Sequence, residues 1–259
     1  MYAARVMASR QRTDDPEVYG PEILATVLNA LKERNGIATA EVDDVIWGCS
    51  AQRGKQGSCI ARMSLLAAGW DTRASGVTLD RFCGSGITSV NMAAASIMSG
   101  MEDLVVAGGV EMLSYTARLA GQGGGAMLDA GNLALREPHP QPHQGVCAAG
   151  SPELMLNEPV PAVRKVLKKA GMTLNDIDLF EVNEAFAVVA FKFMRDLDLD
   201  PARVNVNGGA IALGHPIAGT GSILIGTLLD ELERRDLTTG LVTMCAAGGM
   251  APAIVIERI

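Results

Sequence analysis

Four residues of this chain have side chains suited to moving an acyl group, and each sits among small neighbours: Cys83, Asn183, His215 and Cys245. Cys83 lies in "RFCGSGIT", residues 81–88. Structural cysteines pack as small hydrophobes among apolar side chains, whereas this one opens a Gly-Ser-Gly turn and a run of tiny residues. That pattern predicts a thiol at a helix N-terminus, where the positive end of the helix dipole favours thiolate. His215 lies in "GGAIALGHPIAGTG", with Pro216 holding its backbone extended. A loop of small residues packs poorly and costs conformational entropy, so it points to function. Cys245 follows the apolar run "GLVTM" and precedes "AAGGM"; Asn183 lies in "EVNEAF". Singly, each cysteine reads as a small core residue and Asn183 as a helix N-cap. Together, a thiol, an imidazole, a second thiol and an amide make an acyl-transfer set: nucleophile, base, second acid/base and hydrogen-bond donor.

Such a set must be positioned, and the chain shows how. It repeats itself. "PEILATVLNALKERNGIATAEVDDVIW" (21–47) and "PVPAVRKVLKKAGMTLNDIDLF" (159–180) are each a proline-led helix, a glycine, an acidic turn and a β-rich run. Leu24, Val27, Leu28 and Leu31 form one helical stripe, and Val163, Val166, Leu167 and Ala170 form its counterpart. Pro21 and Pro161 suit a first helical turn, and Gly36 and Gly171 suit the exits. Next, "VTLDRFCGSG" leads through a helix to "EDLVVAGGVEML", as "VNVNGGAIALGHPIAGTG" leads through "SILIGTLLDELERR" to "GLVTMCAAGGM". In that second helix Ile225, Leu228, Leu229 and Leu232 again line one face. Strand, Gly-rich turn, helix and strand, given twice, predict two related βαβ halves with parallel sheets. Ligands of such sheets sit beyond the carboxyl ends of the strands, where all four residues fall.

Composition narrows the class. The chain has 259 residues, 48% hydrophobic and 20% charged, with 29 glycines and a net charge of −7. This describes a folded α/β protein and argues against nucleic-acid partners. No apolar run is long enough to span a membrane. The first twelve residues hold three arginines and no acid, but are short and not clearly amphipathic for a transit peptide. Five widely spaced cysteines without a CxxC give no disulfide framework and make a reducing cytosol the expected location. His139, His143 and Cys147 have a spacing that could hold zinc, but Pro140 and Pro142 prevent one helix from aligning them; no metal is expected. "GQGGGAM" lacks the preceding strand and GxGxxG spacing of a dinucleotide site.

"RFCGSG", "NEAF", "GGAIALGHP" and "CAAGGMAPA", in this order, resemble the four signature segments of thiolases, the acetyl-CoA acetyltransferases. "VVAGGVEML" and "HPQPHQGVCA" resemble further thiolase segments. The resemblance implies a layered α-β-α-β-α sandwich of two related halves: an N-terminal half over residues 1–118, a remnant of the family's loop domain over 119–150, and a C-terminal half over 151–259. It implies that Cys83 carries the acyl group as a thioester, that His215 accepts its proton, and that Cys245 is the second acid/base, its pKa lowered by its surroundings. One oxyanion site would combine His215 with a water held by Asn183, the other the N–H groups of Cys83 and Ala247. His143, Phe186 and Gly248 would line the substrate pocket. The implied reaction interconverts two acetyl-CoA with acetoacetyl-CoA plus coenzyme A. Coenzyme A is a substrate, no metal or redox cofactor is needed, and the assembly is a homodimer or homotetramer. A ketoacyl synthase, which pairs its cysteine with two histidines, fits less well because Cys245 stands at the second-base position.

The chain is also truncated relative to that family. The missing block falls between about Cys147 and Leu154, where thiolases carry most of their loop domain and one strand of each half. The first strand of the N-terminal half is not recognisable, although "AARVMA" is a weak substitute. Because the first strand of each half is internal in the family, its loss leaves unpaired backbone. Three outcomes are open: the remaining strands re-pair, the gap is filled from elsewhere, or the sequence has closed up over residues that belong there. The truncation also motivates an alternative function, a catalytically weak or inactive thiolase-fold subunit for binding or assembly.

Overall fold

The computed structural model describes residues 20–113, 115–116 and 145–258. In chain order the elements are α1 (Gly20–Asn35), β1 (Asp44–Gly48), α2 (Ile60–Ala67), β2 (Val77–Leu79), α3 (Ser85–Ser99), β3 (Val105–Gly109), β4 (Gly145–Ala149), α4 (Pro159–Ala170), β5 (Leu179–Val182), α5 (Ala187–Leu197), α6 (Ala210–Leu213), α7 (Thr220–Arg234), β6 (Thr239–Thr243) and β7 (Met250–Glu257).

The helical stripes face inward as their spacing predicts. Leu24, Leu28 and Leu31 are buried on α1, Val163, Val166 and Leu167 on α4, and Ile225, Leu228 and Leu232 on α7. Gly36 and Gly171 leave their helices with φ of 64° and 68°. That left-handed turn is the usual glycine exit.

The N-terminal sheet is parallel, in the order β2-β1-β3; the C-terminal sheet runs β4-β7-β6-β5. The second sheet departs from the all-parallel expectation. Only β5 and β6 are parallel, whereas β7 returns antiparallel to β6 and pairs on its other side with antiparallel β4. A hairpin brings the chain back beside β6, and a short turn can only join antiparallel neighbours. "VNVN" (204–207) also differs from expectation. It contributes one bridge, Phe180 to Val204, and no strand. The reason is Asn205, which turns left-handed with φ 48°. Its side-chain amide takes the place of a neighbouring strand: Val182 N–H donates to its Oδ1 at 2.8 Å and its Nδ2 donates to Val182 O at 2.9 Å.

Among the described residues the remaining strands pair directly with one another. β1 is bonded to β2 on one edge and to β3 along five residue pairs on the other. β7 is bonded on both edges. β4 joins the C-terminal sheet through β7. The stretch "AARVMA" lies outside the described residues.

Five layers result. α1 and α2 cover one face of the N-terminal sheet through Ile23, Leu28, Val45, Trp47, Ile60 and Leu65. α3 and α7 lie together between the sheets, where Ile87 joins Leu224, Leu228, Val242 and Ile254. α4 and α5 cover the far face around Val163, Phe180 and Phe193, whose rings meet edge to face at 6.4 Å. The central helix pair matters most, because α3 begins just after Cys83 and α7 just after His215.

Candidate active site

Cys83 is raised by a strained turn. Phe82, just before it, has φ 48°, which is costly for a bulky residue and persists only where neighbours over-determine it. Here they do. Phe82 N–H donates to Asp80 Oδ1 at 2.7 Å, Ser85 Oγ donates to Phe82 O at 2.7 Å, and Arg81 N–H donates to Ser85 Oγ at 2.8 Å.

The partner surface comes from the β6–β7 hairpin. Ala246 and Met250 exchange backbone bonds of 2.7 and 3.2 Å. The turn between them runs through Gly248 and Gly249, both left-handed with φ of 77° and 74°. Two successive left-handed residues are what glycine supplies without steric cost. Gly248 is thus a turn-former, and the turn aims the N–H of Ala247 at Cys83 Sγ, which also faces its own N–H. Cys245 is buried and close enough to Cys83 for the charge of one thiol to act on the other.

The second cluster lies at the end of β5. Asn183 extends the β5–β6 pairing, its N–H donating to Thr243 O at 3.1 Å. It is not a helix cap, because the N-cap of α5 is Phe186. Its Nδ2 lies 3.3 Å from His215 Nε2, and His215 Nδ1 lies 2.6 Å from Thr220 Oγ1. With an amide nitrogen facing Nε2, that ring nitrogen accepts. The proton then sits on Nδ1 and goes to Thr220, which leaves a lone pair on Nε2. Asn183 Oδ1 is buried and takes no bond from the protein.

The electrostatics correct two expectations. Burial pushes the Cys83 thiol up, the N–H groups of Cys83 and Ala247 pull it down, and the carboxylates of Glu111 and Asp80 push it up again. The net direction is upward, so the resting state is thiol rather than thiolate. Burial, with the Cys83 charge next, raises Cys245 to about 12, opposite to the lowering implied by resemblance. Burial lowers His215, which keeps its imidazole neutral. A protonated thiol and a neutral base are complementary: the first needs a proton acceptor and the second is one.

Among the described residues no hydrogen bond joins His215 to Cys83; the turn that follows His215 (Ile217–Gly219) packs against the first turn of α3, which follows Cys83. Phe186, the N-cap residue of α5, is 56% exposed. His143, with His139, lies outside the described residues. Sequence reasoning missed Thr220, which orients His215, and Glu111, which acts on Cys83. Both stand inside quoted motifs, "GHPIAGTG" and "VVAGGVEML", and an acid at the end of an apolar strand was the available signal.

Profiles of known families match both halves: the thiolase N-terminal domain over residues 2–134 and the thiolase C-terminal domain over residues 141–258. The chain belongs to the thiolase family. It is 30% identical over 363 aligned positions to a steroid 3-ketoacyl-CoA thiolase of Mycobacterium tuberculosis, covering 93% of this chain and 89% of the relative. A 3-ketoacyl-CoA thiolase of Shewanella loihica is 30% identical over 355 positions, covering 90% and 92%. An acetyl-CoA acetyltransferase of Paracoccus denitrificans is 51% identical over a shorter 111 residues, 43% of this chain and 28% of the relative. Alignments longer than the 259-residue chain itself cross a large gap; this thiolase is shorter than its relatives.

Proposed function

We propose that the protein is an acyl-CoA acyltransferase, a 3-ketoacyl-CoA thiolase or acetyl-CoA C-acetyltransferase working through an acyl-Cys83 intermediate. The observations that support this reading are the approach of the Cys83 and Cys245 thiols to each other and to the Ala247 N–H, and a separate Asn183–His215 pair at the end of β5.

In the thiolytic direction the steps balance as follows. Cys83 gives its proton to His215, and its sulfur attacks the 3-keto carbonyl. The Cys83 and Ala247 N–H groups stabilise the oxyanion. The C2–C3 bond breaks, and the acetyl-CoA carbanion takes the proton of Cys245. A thiol held protonated by burial suits that acid role. The donors to the enolate oxygen would then be His215, protonated by Cys83, and a water held by Asn183. Coenzyme A then returns a proton to Cys245, and its thiolate attacks the acyl-Cys83 thioester. Cys83 leaves and recovers its proton from His215. Reversal joins two acetyl-CoA.

The test is intact-protein mass spectrometry after brief exposure to acetyl-CoA, with peptide mapping. An acetyl adduct on Cys83, absent in Cys83→Ala, is the expected result. A folded chain that forms no adduct would sink the mechanism and leave a thiolase-fold binding subunit.

A further inference from the structure

The short helix before His215 is held without a core. α6 (Ala210–Leu213) is a single turn that buries none of its side chains; Ile211 is 66% exposed and Leu213 50%. Apolar packing, which places most helices, therefore does not place this one. Its internal bonds are complete: Ala212 and Leu213 N–H donate to Gly209 O at 3.1 and 3.0 Å, and Gly214 N–H donates to Ala210 O at 2.8 Å. The segment from Gly209 to Gly214 is one bonded unit, and His215 is the next residue.

Glu184, the residue after Asn183, ties that unit to the end of β5. Ile211 N–H is one of the groups that a first helical turn leaves without an internal partner, and it donates to Glu184 Oε2 at 3.2 Å. Asn205 Nδ2, which also donates to Val182 O, reaches Glu184 Oε1 at 3.4 Å. The carboxylate lies so close to Gly209 that a Cβ added there would come within 2.5 Å of Oε2 and 2.8 Å of Cγ. Gly209 has an extended backbone with φ −151°, so the lack of a side chain serves this contact and not a left-handed turn. At the other end of the unit, His215 Nε2 stands 3.3 Å from Asn183 Nδ2. We infer that Glu184 is a positioning residue for acyl transfer: its carboxylate clamps the turn that leads to His215 onto the strand end that carries Asn183. Glu184 bonds to neither of these two residues; it sets the distance between them.

The inference rests on the acyl-transfer reading, and its test separates the two. Glu184→Ala removes the clamp. Single-turnover acetylation of Cys83 by acetyl-CoA, in which His215 takes the thiol proton, should slow at least about tenfold per folded molecule, since small misplacement of a reacting group carries penalties of that order. The acetyl-CoA concentration for half-maximal rate should stay within about twofold, because the clamp holds a base and not substrate. Gly209→Ala pushes the carboxylate aside and should slow acetylation in the wild-type background, yet add nothing to Glu184→Ala. Two unrelated structural substitutions would add their losses instead. A rate within about twofold of wild type in folded Glu184→Ala overturns the clamp. So does a loss confined to the half-maximal concentration, or an equal loss from Gly209→Ala in both backgrounds. If Glu184→Ala does not fold, Gly209→Ala decides alone: a loss of about tenfold upholds the clamp and a rate within about twofold overturns it. If wild type itself is never acetylated, the acyl-transfer reading fails, and hydrogen exchange at the Ile211 amide decides the clamp: faster exchange in Glu184→Ala upholds it, unchanged exchange overturns it.

Discussion

The two halves present their reactive groups by different means. The N-terminal half offers one side chain, Cys83, from a turn strained at Phe82 (φ 48°) and tied down by Asp80 and Ser85. The C-terminal half offers Asn183, His215, Cys245 and the Ala247 N–H from the ends of β5 and β6, a loop and a hairpin. Each half carries a helix, a strand, a central helix and a strand in the same order, yet among the described residues only the second sheet turns back on itself through β7. The hairpin gives the second half its thiol and its N–H donor. On the proposed mechanism the difference teaches that duplicated scaffolds divide the chemistry by how each strand ends, with one half to hold the acyl group and the other to handle protons and charge.

Three experiments bear on that division. Cys245→Ala should cut full turnover by at least about 10²-fold, the scale of a lost general acid, while Cys83 still becomes acetylated. Loss of the adduct as well would break the division. Asn183→Ala should cost about 10²-fold in turnover, or ~2.7 kcal/mol of barrier. Its stability loss by urea titration should stay near ~1 kcal/mol, the net worth of one hydrogen bond. Equal losses would make Asn183 a structural member of the second half. The smallest effect concerns Glu181, buried on β5. Burial first, then Glu184 and Glu231, raise its carboxyl to about 8. A raised folded pKa means that the native state binds the proton more tightly. Its contribution is therefore fully present below the unfolded value near 4.5 and fades as pH rises through about 8. Urea midpoints taken between pH 6 and 9 should fall more steeply for wild type than for Glu181→Gln. Parallel curves would show that the second half pays nothing for this acid.

Much of this was readable in the sequence, because periodicity and motif order are local. The stripes on α1, α4 and α7, the glycine exits and the placing of Cys83, Asn183, His215 and Cys245 at element ends all follow from spacing of a few residues. What was not readable depends on distant partners. "VNVN" has strand composition, but Asn205 spends its amide on Val182, across the chain. The thiolate expected of Cys83 depends on how deeply the C-terminal half buries it. Glu111 looked like an ordinary acid after a strand, since its donors lie some sixty positions earlier in the chain. Glu181, equally, gives no local sign of being buried.

The carbonyl of buried Ala218 sits in a slot against Gly48, Gly86 and Gly109 of the N-terminal half, and that slot limits how this protein can be taken apart and recombined. Most contacts between halves are made by side chains, which can exchange one shape for another. Here main chain lies against main chain, and the fit at Gly48, Gly86 and Gly109 consists of atoms that are not there. Such a joint has no repertoire of substitutes. A chimera that takes its first half from one relative and its second from another should tolerate mismatched cores far better than a mismatch at these three glycines and Ala218. The four positions, scattered over 170 residues of chain, behave in inheritance as a single character.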